Sequence, residues 1–471
     1  VIIRNLSQIA EMCGGTLGRE EHSGVTAQGV VTDSRKISAG CLFVPLAGEN
    51  FDGHAFAAEA LRQGAAGCLW QRDHGTPPET EGPVIFVEDT LEALQRLSKS
   101  YLKETKAKVI GITGSNGKTT TKDIAFSLLA TTFKVHKTNG NFNNHIGVPL
   151  TILAMPEDSE IAILEMGMSA RYEIELLSKL AEPETVLITN IGESHLLQLG
   201  SREEIARAKV EILAGVKRGG LLVYNGDEPL IPQVLQESGT YKPEDLKTLT
   251  FGMNADNDDY PTGMMFQSAG TVFTAHSGQE ASAYRIPLLG EHNVINALGA
   301  MLVARHYGVT EENIIKGLDQ LELTSMRIEV VEGVSGITIL NDAYNASPTS
   351  MKAAIGVLEK MKGYRRKVAV LGDMLELGEH EGRYHEETGR YITPEKVDIL
   401  FTYGALGAKI AQGAGEHLPA ERIYAYTDKT ELVHRLMQEL TPKDVVLVKA
   451  SRGMKLEEVA QAIKINRLQQ P

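Results

Sequence analysis

The sequence predicts an α/β protein of three domains: a small α/β domain, a central phosphate-loop domain on a mainly parallel sheet, and a Rossmann-like open sheet at the end. Three observations predict it. Residues 111–120 read Gly-Ile-Thr-Gly-Ser-Asn-Gly-Lys-Thr-Thr, between an apolar run from Lys108 to Ile110 and an apolar-periodic segment from Ile124 to Leu129. That is the strand, glycine loop, helix order of a phosphate-binding loop. Strand and helix signals then alternate from 108 to 224 and again beyond 340, which implies βαβ units. The length of 471 residues suits three domains of about 150 residues each.

The elements follow in order. Residues 1–106 mix short strands, Cys41–Val44 and Val84–Val87, with a helix at Leu91–Lys103. The polar segment Lys103–Lys108 reads as a linker. Residues 107–321 predict strands at 108–113, 160–165, 185–190 and 220–224, with helices at 118–130, 171–180 and 202–216. The stretch 248–286, with turn residues at 254–263, predicts a small antiparallel extension, and helices at 293–307 and near 311–319 close the block. Residues 322–471 begin with a hairpin signal from Ile328 to Leu340. A helix follows, with Ser347 as N-cap and Pro348 at the first helical position. Strands at 367–371, 398–402 and 445–449 alternate with helices. There is no internal repeat and no low-complexity tract.

Composition narrows the function classes. The formal charge of −14 argues against non-specific binding to nucleic acid or an anionic membrane. Cys13, Cys41 and Cys68 are odd in number and lack C-x-x-C spacing, so reduced thiols are expected and zinc is not. No stretch approaches a membrane span, and the first residues lack a signal-peptide pattern. The chain starts at Val1, so an initiator methionine is expected to precede the numbering. These features predict a cytoplasmic protein.

Glycines in the loop let backbone N–H groups curl around phosphate oxygens. Lys118 supplies a mobile cation, Thr119 a hydroxyl for magnesium, and the following helix its positive end. Gly111 lies one residue too far from Gly117-Lys118-Thr119 for the common nucleotide-loop spacing. The tighter Gly114-x-x-Gly117-Lys118-Thr119 describes the loop better, and it points to ATP rather than a chance glycine–lysine turn.

Further constellations sit at strand ends, the favoured ligand positions of open sheets. Glu165 ends the strand Ile161–Leu164, where a magnesium ligand should sit beside a phosphate loop. His195 follows the strand Val186–Ile191 and is compatible with either a metal or phosphate role or a surface one. Ser201-Arg-Glu-Glu204 is a capping box, and on its helix Lys209 shares the face of Ile205, Ala208, Ile212 and Val216. A lysine there must pair, snorkel or change state. As a neutral amine it could react with carbon dioxide to form an anionic carbamate; snorkelling is the plainer alternative, and the residues are compatible with both. The run Thr138–His145 holds four asparagines, suited to turns or to a polar, amide-rich ligand. Gly290–Asn296 opens a helix with polar residues three apart. The last block offers Arg327, Asn341–Asn345, Gly372–Glu376 and Lys449–Arg452.

Taken in order, Thr113–Thr119, Glu165-Met-Gly, His195, Ala208-Lys209-x-Glu211, His292-Asn293-x-x-Asn296, Arg327 and Asp342-Ala-Tyr-Asn345 resemble the Mur ligase family, the ATP-dependent amide ligases of bacterial cell-wall precursor synthesis. Asp342–Met351, Gly372–Gly378 and Gly140–Pro149 resemble the branch that adds D-alanyl-D-alanine to UDP-N-acetylmuramoyl-tripeptide, and the D-N-P-R motif of diaminopimelate-adding members is absent. Thr32-Asp-Ser34-Arg35 and Asp52-Gly-His54 resemble first-domain segments that hold the uridine nucleotide. One departure is Ala450, where the family often has glycine.

The resemblance implies domains 1–106 for the UDP substrate, 107–321 for ATP and 322–471 for the incoming dipeptide. It implies ligation through an acyl phosphate, with Lys118, Lys209, Arg327 and His195 as catalytic residues. ATP would be held by Gly114, Ser115, Asn116, Gly117, Lys118, Thr119, Thr120, Asn293, Asn296, Arg327 and Asp342. Mg2+ would be held by Thr119, Glu165, His195 and Lys209, the last as a possible N-carboxylysine. Substrate contacts would come from Ser34, Arg35, Asp52, His54, Asn143, Asn144, Tyr344, Asn345, Ser451 and Arg452. A monomer with no nucleic-acid partner is expected, and the third residue of the tripeptide stays open between lysine and diaminopimelate. Folylpolyglutamate synthetase, which shares the ATP machinery, lacks a first block of this kind. A nucleotide switch would want an N-K-x-D motif, which is absent.

Overall fold

The computed structural model describes residues 1–267, 270–324 and 328–465. Arg327 lies outside them. Four sheets organise the described residues, and the central one carries nine strands. Its phosphate-loop strand, Lys108–Thr113, is inserted between Ile161–Glu165 and Thr185–Ile188, all parallel. Val135–Lys137 forms one edge beside Ile161–Glu165. On the other side Leu221–Asn225 and Lys247–Phe251 continue the parallel order, and the strands Asp259–Gln267, Gly270–Ser277 and Glu280–Ile286 add an antiparallel end. The expected extension is therefore part of the same sheet. The chain leaves Lys108–Thr113 for one side of the sheet and then crosses to the other. That places the glycine loop at a topological switch point, where open sheets bind ligands.

The last block is a six-stranded sheet in the order Glu329–Glu332, Thr338–Asp342, Val445–Lys449, Lys367–Gly372, Ile399–Tyr403, Ile423–Tyr426. Only the first pair is antiparallel, so the expected hairpin and open parallel sheet are both present. Its helix Pro348–Lys360 is capped by Ser347, whose side chain accepts from Ser350 N. The first block holds a five-stranded sheet and a two-stranded one.

The join at residue 106 is not the linker that its polarity predicts. The helix Thr90–Thr105, capped by Asp89, runs to Lys106, which adopts a left-handed conformation, and the phosphate-loop strand starts at Lys108. The charges of Lys103, Glu104 and Lys106 occupy the wet side of this helix. Leu94, Leu97 and Tyr101, spaced three or four apart, and Leu102 beside them are buried in one cluster with Val148, Ile152, Leu153 and Met155 of the central block. Tyr101 also donates its hydroxyl to Met155 O at 2.7 Å. A continuous apolar core thus welds the first block to the second.

The second and third blocks meet differently. Their contacts are largely polar: Ser347 Oγ to Asn116 Oδ1 at 3.3 Å, Thr349 Oγ1 to Glu193 Oε2 at 2.7 Å and Lys360 Nζ to Glu291 Oε1 at 2.8 Å. A polar seam of this kind is what a movable domain interface requires. Among the described residues no helix is long and apolar enough to cross a membrane.

Candidate active site

The loop's geometry follows from its glycines. Gly114 and Gly117 have φ of +147° and +80°, and a Cβ on Gly114 would stand 1.8 Å from Thr189 Oγ1. On Gly117 it would stand 2.7 Å from Asn296 Oδ1. The neighbouring strand end braces the loop: Ser115 N donates to Asn190 O and Asn116 N to Asn190 Oδ1, both at 3.0 Å. Lys118 Nζ folds back to donate to Gly114 O at 2.8 Å. Ser115 Oγ and Asn116 Nδ2 are buried with no hydrogen-bond partner among the described residues. Buried polar atoms left open beside a helix N-terminus fit a phosphate. Gly114→Ala should therefore lower stability by about 2–5 kcal/mol, from backbone strain plus overpacking. Thermal unfolding checks this, and adding Thr189→Ala should recover part of the loss.

Glu165 is buried at the end of its strand, and the whole neighbourhood holds it in place. Thr119 Oγ1 donates to its Oε2 and Asn143 Nδ2 to its Oε1, both at 3.0 Å, while its own N–H donates to Thr138 Oγ1 at 3.0 Å. Lys122, fully buried, lies 3.8 Å from Glu165 Oε2 and 3.6 Å from Asp123 Oδ1. Asp123 in turn takes Lys137 at 2.7 Å and Thr324 N at 2.8 Å. A hydroxyl touching a fixed carboxylate beside a phosphate cradle is the oxygen donor set that magnesium prefers.

Lys209 lies on the helix Arg202–Val210 and is 1% exposed. Only half of the expected capping box forms. Ser201 Oγ accepts from Glu204 N, but the Glu204 carboxylate turns to Arg171 and Arg207 instead of the cap N–H. The helix also ends earlier than predicted, passing at Glu211 into a 3₁₀ turn through Gly215. Lys209 has no hydrogen bond or ion pair among the described residues. Burial, and then the Lys118 charge, hold its amine well below the ordinary lysine range.

His195 opens the short helix Leu196–Leu199 with φ of +66°, a left-handed value for a residue with a side chain. Its Nδ1 lies 2.9 Å from Glu376 Oε2 of the third block. Burial, and then Lys209, hold this imidazole below its ordinary range, while Glu376 works against them.

A cavity of about 420 Å³ gathers the predicted groups from both sheets. Ser115–Thr120, Asn143, Asn144, Glu165, His195, Asn293 and Asn296 line it from the central block, and Asp342, Tyr344 and Asn345 from the third. Lys449 bridges Asp342 Oδ2 at 2.6 Å and Asn345 O at 2.9 Å, which holds the third block's strand ends together. Burial pushes the neighbouring His292 down to about 4, so it acts as a neutral imidazole. Lys209 does not line the cavity. Ser451 does not either: its Oγ accepts from Leu375 N at 2.9 Å. Arg452 is exposed, 5.7 Å from the Tyr344 ring centroid.

The first-block residues form a separate group. Asp52 caps His54, accepting from His54 N at 3.0 Å and contacting its Nδ1 at 2.8 Å, and it also meets His74 Nε2 at 2.7 Å. Arg35 is exposed and paired with Asp33, and Ser34 begins the same short turn. None of Ser34, Arg35, Asp52 or His54 lines the cavity.

Several functional contacts escape sequence reasoning. Thr189 and Asn190 brace the loop, and their place at a strand end beside it was the available signal. Lys122 carried none, and Glu376 stood in the motif Gly372–Glu376 with nothing to show its partner, because each acts through a residue brought from elsewhere in the chain.

The fold and cavity define a phosphate-loop α/β protein whose nucleotide cradle is faced by a second open sheet. Three family models match: Mur ligase family, catalytic domain, over residues 26–102; Mur ligase middle domain over 112–304; and Mur ligase, glutamate ligase domain over 326–452. The chain belongs to the Mur ligase family. It is 50% identical, over 98% of both chains, to the UDP-N-acetylmuramoyl-tripeptide--D-alanyl-D-alanine ligase of Bacillus subtilis. Among solved structures, MurF from Acinetobacter baumannii is similar with a TM-score of 0.89 and 29% identity, covering 99% of this chain and 100% of that one. MurF ligase from Thermotoga maritima, solved in complex with ADP, is similar with a TM-score of 0.81 and 30% identity, covering 93% and 97%.

Proposed function

We propose that this Mur ligase joins D-alanyl-D-alanine to UDP-N-acetylmuramoyl-tripeptide, with ATP converted to ADP and phosphate, in the cytoplasmic assembly of a peptidoglycan precursor. Through that product it would serve cell shape and division. The observation that carries the reading is the single cavity lined by the phosphate loop and Glu165 on one side and by Asp342, Tyr344 and Asn345 on the other. Such a space lets a nucleotide, a carboxylate and an amine meet. The 50% identity to the Bacillus ligase along 98% of both chains supports the choice of substrates.

The reaction follows from the demands of its chemistry. The tripeptide's terminal carboxylate is an anion and a poor electrophile. Its oxygen attacks the γ-phosphorus, the bond to ADP breaks, and an acyl phosphate forms. The dipeptide's amine then attacks the acyl carbon, phosphate leaves with the bonding pair, and the amine proton passes to solvent or phosphate. Lys118 and the loop amides neutralise the γ-phosphate during the first step. Arg327 is assigned by resemblance to the same task. Asn293, Asn296 and Asp342 would contact the nucleotide. Magnesium would be held by Thr119 and Glu165, with His195 and a carboxylated Lys209 completing the donor set, and it would supply charge neutralisation at the phosphates. Closure of the third block would exclude water and protect the acyl phosphate.

In this reading residues 1–106 hold the uridine nucleotide through Ser34, Arg35, Asp52 and His54. Residues 107–321 bind ATP, and 322–471 present the dipeptide through Tyr344 and Asn345, with Arg452 beside the Tyr344 ring and Ser451 supporting from behind through Leu375 N. Asn143 and Asn144 face the polar acceptor. The enzyme works as a monomer.

Phosphate release tests the reading. It should require the nucleotide-tripeptide and the amine together for sustained turnover. Equal release from ATP alone would overturn the ligase and point to a nucleotide switch.

A further inference from the structure

The motif Gly372–Glu376 has no part in the reaction described so far, yet it is built with unusual care. Asp373 Oδ1 accepts from Gly407 N at 2.7 Å, and its carbonyl accepts from Ser451 N at 3.1 Å. Met374 N donates to Nε2 of the fully buried His385 at 2.8 Å, and Leu375 N donates to Ser451 Oγ at 2.9 Å. The His385 ring is itself fixed, because its Nδ1 donates to Glu381 O at 2.7 Å. Three successive residues are thus pinned from behind, and the fourth, Glu376, projects across the polar seam.

There it meets the turn His195–Leu197 at two points. Leu197 N donates to Glu376 O at 3.0 Å, and Glu376 Oε2 lies 2.9 Å from His195 Nδ1. Both residues hold left-handed backbones, with φ of +64° for Glu376 and +66° for His195. Each such conformation costs on the order of 1 kcal/mol or more for a residue with a Cβ, and it persists where surrounding structure enforces it for a purpose. Two of them face each other across one interface. Beside them Gly378 has φ of +74° and packs so close to Leu197 that a Cβ would stand 3.3 Å from its Cα.

We propose that Glu376 is a positioning residue that orients the His195 ring only when the third block is docked, so that closure completes the site. The inference rests on the reading of His195 as a residue of the ligation site. The carboxylate stands 2.9 Å from Nδ1 without an aligned hydrogen bond in this arrangement; a small turn of the ring would place the proton on Nδ1 and leave the Nε2 lone pair for the cavity that His195 lines. With the third block undocked, the ring has neither the tautomer nor the orientation fixed. The acyl phosphate would then form only in a site already closed against water.

The test compares Glu376→Ala, Glu376→Gln and His195→Ala in the full-length enzyme. Glu376 is half exposed on its side chain, so its variants should fold. Glu376→Ala should lower kcat by about tenfold or more, as loss of a ligand-orienting partner does, and leave KM for the nucleotide-tripeptide within about twofold. Glu376→Gln, which keeps an acceptor oxygen, should recover much of the loss. The double variant with His195→Ala should be no worse than His195→Ala alone. Independently of activity, ¹⁵N NMR of the imidazole, assigned by its loss in His195→Ala, should report the Nδ1–H tautomer in the wild type and a shift toward Nε2–H in Glu376→Ala. An unchanged tautomer and kcat in Glu376→Ala, with His195→Ala impaired, would overturn the positioning role alone. Full activity of His195→Ala would overturn both that role and the reading of His195 beneath it.

Discussion

Replacing Glu165 by alanine should lower the ligation rate on the order of 10²-fold or more, the usual loss when one electrostatic partner of a charged transition state is removed. The magnitude follows from how the carboxylate is held. It is buried, and Thr119, Asn143 and the Thr138 hydroxyl fix its two oxygens and its backbone, so no solvent-exposed substitute can take its place. Lys122, at 3.8 Å, would lose one of its carboxylate neighbours, so part of the effect on alanine could come from stability. Glu165→Gln separates the two. It preserves shape and an acceptor for Thr119 but removes the charge, so it should fold with a melting temperature close to wild type and still be severely slowed. It should also need more magnesium for half-maximal rate. Wild-type kinetics in Glu165→Gln would reject the metal role.

The second large effect belongs to Lys209. An ammonium at this depth with no partner among the described residues would cost several kcal/mol, and the Lys118 charge adds to the penalty, so loss of its proton is eased. A neutral amine can add to carbon dioxide, forming an N–C bond and releasing a proton to leave a carbamate anion. That modification would replace a buried cation by an anion beside Lys118. Lys209→Ala should therefore lose about 10²-fold or more in kcat. Short carboxylic acids such as acetate or formate should restore part of it by placing a carboxylate in the space left. Restoration by carboxylates, but not by amines, distinguishes a lost anion from a lost cation. Normal activity without rescue would remove the carbamate from the account.

Much of the fold and site was legible in the sequence, for identifiable reasons. The glycine loop and its flanking strand and helix are local chemistry, so their positions follow from residue type. Glu165, Asp342 and Lys449 sit where parallel strands end, and that rule placed them at one rim without knowledge of contacts. The stripe of Ile205, Ala208 and Ile212 placed Lys209 on a buried face. The errors have a common origin. The segment 103–108 looked like a linker because its charges are real, but they lie on the wet side of a helix whose other side is core. Ser201–Glu204 matched a capping box, yet Arg171, distant in the chain, drew the carboxylate away. Lys122 stayed invisible, and Glu376 was seen only as part of its motif, because their partners come together only through packing.

The most direct measurement of the central claim is mass spectrometry of the nucleotide product after incubation with ATP, magnesium, UDP-N-acetylmuramoyl-tripeptide and D-alanyl-D-alanine. The account predicts a UDP-N-acetylmuramoyl-pentapeptide formed in equal amount to ADP and phosphate, with none when either the tripeptide nucleotide or the dipeptide is left out. Consumption of ATP without any pentapeptide, by a folded enzyme, would contradict it.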